Sequence, residues 1–296
     1  MPEDQPPSMN ITVIVENHAR SGLVSEHGLS LWVESDEGGI LFDTGQGPAL
    51  AFNAPAMNIP LETARAVVLS HGHYDHTGGL PYALRRAAGA DLYLHPDAVQ
   101  PRFSIHDEPR SIGMPPDAAA AVRHAAARTC FTRKPVEVAP GVSLTGPIPR
   151  RTDFEDSGGP FFLDAAGDRP DSIPDDQALW IDTPGGSVVV LGCAHAGVVN
   201  SLEYVHELSG RRPIRAVMGG LHLAAASMRR LEKTAGAFRQ FGVRMMVAGH
   251  CTGTHAFQWL DRALPGRMVA CHAGATFTFG KRGAGCGPGT ELGGEP

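Results

Sequence analysis

The stretch Val67-Val68-Leu69-Ser70-His71-Gly72-His73-Tyr74-Asp75-His76-Thr77-Gly78-Gly79 decides the reading of this chain. An apolar, β-branched run of strand length ends in a turn that carries four ligand-type side chains, His71, His73, Asp75 and His76, within six residues. Gly72 between the first two relieves backbone crowding. An isolated histidine is ordinarily a hydrogen-bonded core or surface residue, because metal ligation needs several partners. Here the partners are clustered. Imidazole and carboxylate together suit zinc, iron or manganese, and three-histidine sites with an open position activate water.

Three later apolar strands end the same way. Val188-Val-Val-Leu-Gly-Cys-Ala runs into His195, Val217-Met-Gly-Gly-Leu into His222, and Met246-Val-Ala-Gly into His250. In layered α/β proteins the carboxyl ends of neighbouring strands line the crevice where ligands bind, so these histidines are expected to converge with the first turn on shared metal. The remaining candidates His95, His106, His124, His206, His255 and His272 are read as structural. Five scattered cysteines with no CxxC pair do not indicate a disulfide framework. Cys193 and Cys251 stand beside candidate ligands and are read as small buried residues packing beneath the site.

Working outward, strand-like runs recur at 11–15, 29–33, 40–42, 66–69, 91–94, 178–181, 187–191, 214–218, 245–248 and 276–279, with helix-like segments at 80–88, 198–208, 228–241 and 256–264. Early strands come mostly without helices and later ones alternate with them, which suits an α/β (α+β) chain folded as a four-layer αββα sandwich. One domain is expected over 1–280. The interval 101–176, rich in proline, glycine and charge, reads as a lid or insertion, and 281–296 as a glycine-rich tail too poor in apolar residues to pack. A net charge of −6 speaks against a phosphate-tracking nucleic-acid binder, a local basic patch aside. No apolar run approaches the roughly 20 residues that span a bilayer. The expectation is a cytoplasmic protein with a small-molecule substrate and neither nucleic acid nor membrane as partner.

The turn at 71–76 resembles the HxHxDH signature of the metallo-β-lactamase superfamily, whose later single histidines match His195 and His250. Glu26-His-Gly-Leu-Ser, Leu41-Phe-Asp-Thr-Gly, Gly192-Cys-Ala-His-Ala-Gly, Gly219-Gly-Leu-His-Leu and Gly249-His-Cys-Thr-Gly together look like one of its subgroups. That subgroup is named for 7,8-dihydropterin-6-methyl-4-(β-D-ribofuranosyl)aminobenzene-5′-phosphate synthase. The resemblance spans nearly the whole chain. It implies two divalent ions, zinc foremost with iron or manganese as alternatives, the first held by His71, His73 and His195 and the second by Asp75, His76 and His250. It further implies that Asp43 orients a ligand by accepting its remaining N–H, and that Asp75 orients the attacking water or takes its proton.

One departure stands out. The superfamily usually supplies a bridging aspartate between the positions matched by His195 and His250, and this chain has no aspartate from Ala196 to Gly249. His222 looks like the substitute, or else a substrate contact. For substrate the reading offers His27, Asp176 beside Asp175, and Arg150 with Arg151, whose guanidinium groups suit phosphate. A metal-dependent hydrolase acting through a metal-activated hydroxide on a phosphorylated or phosphodiester-type small molecule is expected. The alternatives are a dihydropterin-linked transferase that displaces diphosphate, and a metal-binding protein without hydrolytic activity.

Overall fold

The computed structural model describes residues 9–35, 38–280 and 284–286. Eight strands form the first sheet: β1 (Met9–Val15), β2 (Ser30–Ser35), β3 (Gly38–Phe42), β4 (Ala64–Val68), β5 (Asp91–Leu94), β8 (Thr129–Phe131), β17 (Thr276–Phe279) and β18 (Ala284–Cys286), in the order β18-β17-β1-β2-β3-β4-β5-β8. The second runs β16-β15-β14-β13-β12-β10-β9, from β9 (Val136–Ala139), β10 (Val142–Leu144), β12 (Leu179–Thr183), β13 (Gly186–Leu191), β14 (Ile214–Gly220), β15 (Met245–Gly249) and β16 (Met268–Ala270). A small sheet of β6 (Phe103–Ile105), β7 (Pro109–Ser111) and β11 (Phe161–Phe162) lies apart from both.

Period-two alternation assigns each strand two faces. In β13, Val188 and Val190 point between the sheets with Leu31, Val33, Phe42, Val68 and Leu179, while Val189 and Leu191 point outward onto helices. A strand buried on both faces must be apolar throughout, which is why Val-Val-Val-Leu sits in the parallel part of its sheet beside β14. The outer face of the second sheet is covered by α5 (Val198–Leu208), α6 (Met228–Gln240) and α7 (Thr254–Ala263) through Leu202, Val205, Leu231, Phe238 and Leu260. The outer face of the first is covered by α1 (Pro48–Ala56), α3 (Leu80–Arg86) and α4 (Pro116–His124) through Leu50, Leu80, Ala83, Ala118 and Val122. Helix, sheet, sheet, helix is the αββα sandwich. Among the described residues no helix is long and apolar enough to cross a membrane.

The long strands and helices fall where the periodicity predicts them, but α1 does not follow from it. Its sequence, Pro-Ala-Leu-Ala-Phe-Asn-Ala-Pro-Ala, is preceded by Gly47 rather than a capping side chain and carries Pro55 inside, so it lacks both a side-chain cap and an uninterrupted helical run. The interval 101–176 holds β6, β7, α4, β8 to β11 and connecting loops; its two- to four-residue strands are too short for a period to register. The expected tail lies, apart from 284–286, outside the described residues, and those three extend the first sheet beside β17.

Candidate metal centre

The turn after β4 is held from three directions. Gly72 lies so close to the neighbouring chain that an added Cβ would sit 2.1 Å from the Ala98 carbonyl oxygen; only glycine fits there. Its N–H donates to Asp175 Oδ2 at 2.8 Å. Asp175 in turn receives Arg102 through Nη1 at 2.9 Å and Nη2 at 2.5 Å, and Asp171 pairs with the Arg102 Nε at 3.0 Å, all three side chains being buried. On the other side the fully buried Asp43 accepts the Ser70 N–H and hydroxyl and His76 Nδ1, each at 2.7 Å. Finally, His73 caps the short helix α2 (Tyr74–Thr77), its carbonyl accepting from the Thr77 N–H at 3.1 Å.

This scaffold fixes which ring nitrogens face inward. Because Ser70 Oγ donates to Asp43, it accepts at His71 Nδ1, 2.9 Å away. His76 Nδ1 faces the Asp43 carboxylate, His195 Nδ1 the Ser157 carbonyl at 2.8 Å, and His250 Nδ1 the Asn17 Oδ1 at 3.0 Å. These partners accept, so each of the four imidazoles carries its proton on Nδ1 and turns a bare Nε2 lone pair to the common interior. His73 faces inward through Nδ1, 3.0 Å from His71 Nε2. His76 and His250 oppose Nε2 to Nε2 at 3.2 Å, with Asp75 Oδ2 at 3.4 Å from His250 and 3.9 Å from His76. The buried His195 Nε2 has no hydrogen-bond partner among the described residues. Facing lone pairs at such distances repel one another unless a proton or a metal ion lies between them. The donor set fits divalent metal, as His71, His73 and His195 in one group and Asp75, His76 and His250 in the next.

The electrostatics favour neutral rings in the first group, whereas in the second burial lowers His76 but Asp43 and Asp75 outweigh it and push that ring above the usual histidine range. Burial and the neighbouring imidazoles, His76 and His73 foremost, push His71 far below the usual histidine range, and burial with His222 and His73 does the same to His195. Both rings are neutral, as ligation requires. Burial favours a protonated Asp75, but the nearby His76, His250 and His27 outweigh it and hold the carboxyl well below its usual range.

The second sheet delivers its donors one at a time from bends after strands. Ala194, His222 and His250 all have positive φ, at 53°, 47° and 50°, a conformation uncommon for residues with a side chain. The buried Glu16 accepts the His250 N–H at 2.5 Å, and Asp176 accepts the Ala196 N–H at 2.6 Å. Burial pushes the Asp176 carboxyl up to about 7.

A cavity of about 490 Å³ opens above these groups. His27 lines it and reaches Asp75 Oδ2 at 3.1 Å. His222 lines it too, its ring centroid 4.3 Å from that of His195. Asp175 and Asp176 instead turn to backbone N–H groups on either side of the site. Arg150 and Arg151 are not brought to the cavity. Arg150 binds the Ser172 carbonyl, and Arg151 forms an exposed forked pair with Glu207 of α5 at 2.5 and 2.9 Å; a phosphate contact would require abandoning those partners. Arg110 and Phe161, which carry no sequence signal, and His106, read above as structural, line the mouth. They come from the small sheet and its turn, where no motif spacing marks them. Cys193 and Cys251 also line the cavity, and their signal, a cysteine two residues before His195 and one directly after His250, was legible.

A family model described as the metallo-β-lactamase superfamily matches residues 26–250. The chain belongs to that superfamily. It is 29% identical over 286 residues to 7,8-dihydropterin-6-methyl-4-(β-D-ribofuranosyl)-aminobenzene-5′-phosphate synthase of Methanocaldococcus jannaschii, covering 92% of this chain and 97% of the relative. A solved metal-dependent hydrolase of the β-lactamase superfamily superposes with a TM-score of 0.78 at 32% identity, over 90% of this chain and 98% of that one. Zinc-bound PqqB from Methylobacterium extorquens shares the fold at a TM-score of 0.52 and 16% identity, over 90% and 99% of the two chains.

Proposed function

We propose that this superfamily member is a metal-dependent hydrolase that holds two divalent ions, zinc foremost, and cleaves a phosphorylated or phosphodiester-type small molecule. The observation that carries the reading is the set of four imidazoles whose Nδ1 sites face protein acceptors and whose Nε2 lone pairs converge beside Asp75. When bound there, such ions lower the proton affinity of a coordinated water and polarise a phosphoryl oxygen. Asp75, ionised and facing the cavity, orients the water and takes its proton. His27 donates to Asp75 and, half exposed, links that carboxylate to solvent. Arg110, stacked over Tyr74 at the mouth, offers a guanidinium to the substrate's anionic group, and Phe161 offers an aromatic face. The segment 101–176 acts as a lid, since it supplies both.

A second reading has its own support, the likeness to a synthase over nearly the full length of both chains. In it the aryl amine of an acceptor attacks the methylene carbon of a dihydropterin methyl diphosphate. The C–N bond forms, the C–O bond breaks, diphosphate leaves, and the amine proton passes to Asp75. The test begins with elemental analysis of purified protein, where two equivalents of metal are expected and none would overturn both readings. Metal-loaded protein is then given phosphodiester and phosphomonoester substrates, and separately the pterin diphosphate with and without an aminobenzene acceptor. Hydrolysis without acceptor supports the first reading. Diphosphate release only with acceptor replaces it by the second, and bound metal with no turnover of any of them leaves a non-hydrolytic metal protein.

A further inference from the structure

Cys193 lies at the junction of the donor groups. Its Sγ, together with His71 and His76, forms one set of candidate ligand atoms within 4.8 Å of each other, with His195 and His222 a second, and with His250 and Cys251 a third. It is thus near donors from both proposed ion positions. The side chain is buried, and its sulfur is 3.1 Å from His76 Nε2, the lone pair that Asp43 aims inward. The bare, buried Nε2 of His195 belongs to the same neighbourhood. Charge points the same way: an imidazole ligand brings no charge of its own, so among the donors named above Asp75 alone sets a negative charge against two divalent ions. The chain offers no aspartate between Ala196 and Gly249 to add another.

We propose that Cys193 is a metal ligand, its thiolate bridging the two ions. This rests on the two-ion reading and extends it. Ligation forms a bond from Sγ to each ion and releases the thiol proton to solvent. A thiolate adds the second negative charge the site lacks and favours thiophilic ions such as zinc or iron over manganese or magnesium. Cys251 is the natural control. Its sulfur touches the Cys193 carbonyl at 3.7 Å, the Cys193 thiol and His222, and packs against Gly220, where an added Cβ would lie 2.5 Å away; it enters a single donor group.

The test is X-ray absorption at the zinc edge of the zinc-loaded full chain, with metal content measured on the same sample. A sulfur shell at about 2.3 Å beside nitrogen and oxygen at about 2.0–2.2 Å is expected, averaging one sulfur per zinc, kept in Cys251→Ser and lost in Cys193→Ser. The Cys193→Ser protein should also bind its second zinc about tenfold more weakly or worse. One sulfur for every two zincs would overturn bridging. Two zincs with no sulfur, or a shell that disappears only in Cys251→Ser, would overturn Cys193 as ligand while leaving the two-ion reading intact. A chain that binds no zinc would sink that reading instead. If Cys193→Ser fails to fold, the wild-type and Cys251→Ser spectra still decide.

Discussion

The two sheets build their shares of the site by different means. The first supplies four donors from one turn, locked by a buried ion triad behind Gly72 and a carboxylate behind His76. The second supplies single donors after β13, β14 and β15, at or directly beside residues forced into positive φ and steadied through backbone N–H groups by Glu16 and Asp176. Packing and hydrogen bonds preorganise the first share; the second is a set of separately strained bends. The first should therefore fail as a unit when its support is cut, and the second piece by piece.

Cutting the triad is the harshest way to break the comparison. Arg102→Ala leaves the carboxylates of Asp171 and Asp175 buried without their cation, at a cost of about 3–5 kcal/mol. Denaturant midpoints should fall accordingly, and both metal equivalents should be lost together from protein that still folds. Loss of one equivalent, with the other retained, would show that the turn is not a unit.

Asp176 probes the second sheet. Its folded pKa, about 7, is raised above the ordinary carboxylate value near 4. The folded state therefore binds more protons than the unfolded one between these values. The stability this contributes is fully present below about pH 4 and is lost as pH rises through about 7. Chelated wild-type protein should lose stability on the order of a few kcal/mol across that window, at ~1.4 kcal/mol per pKa unit. Asp176→Asn, which keeps an acceptor for the Ala196 N–H, should flatten the profile without disturbing the donors on the first sheet. Equal slopes in the two proteins would remove Asp176 from the account.

Asp43→Ala comes next. It leaves the Ser70 N–H and hydroxyl and the His76 Nδ1–H without their buried acceptor, about 2 kcal/mol in stability. Metal affinity, followed by competition with a chelator, should drop roughly 10- to 100-fold. A drop no larger than that of Asn17→Ala, which frees His250 and the Gly28 N–H, would erase the contrast between the two sheets.

How much of this was readable beforehand follows the same division. The turn at 71–76 compresses four donors into six residues, so its chemistry is local and legible, and Asp43, though distant in sequence, sits in a motif that the superfamily resemblance marks. Single histidines such as His195 and His250 were legible because each ends a buried apolar strand. Cys193 was visible, but adjacency could not tell packing from convergence; that needs the relative placement of β13 with the β4 turn. Arg110 and Phe161 left no trace, since strands of two or three residues carry no period and their place over the cavity depends on tertiary packing. Arg150 and Arg151 attracted attention by residue type, whereas the nearest opposite charge, Glu207 one helix away, decided where Arg151 went.

That last contrast gives the mildest prediction and bears on the cavity wall that neither main sheet supplies. Arg110 stands at the mouth against Tyr74, and Arg151 stands on the outer surface paired with Glu207. Both are exposed, so removing either should leave the denaturant midpoint and metal content unchanged, exposed ion pairs being weak contributors. Substrate should distinguish them. With an anionic substrate, Arg110→Ala should raise KM about tenfold, as expected for a charge-assisted contact of ~1.4 kcal/mol made in ground and transition state alike, while kcat holds. Rising ionic strength should shrink that difference, because the contact is solvent-accessible. Arg151→Ala should match wild type in both constants. The reverse result would return phosphate recognition to the segment around 150 and require the Arg151 fork with Glu207 to open during turnover.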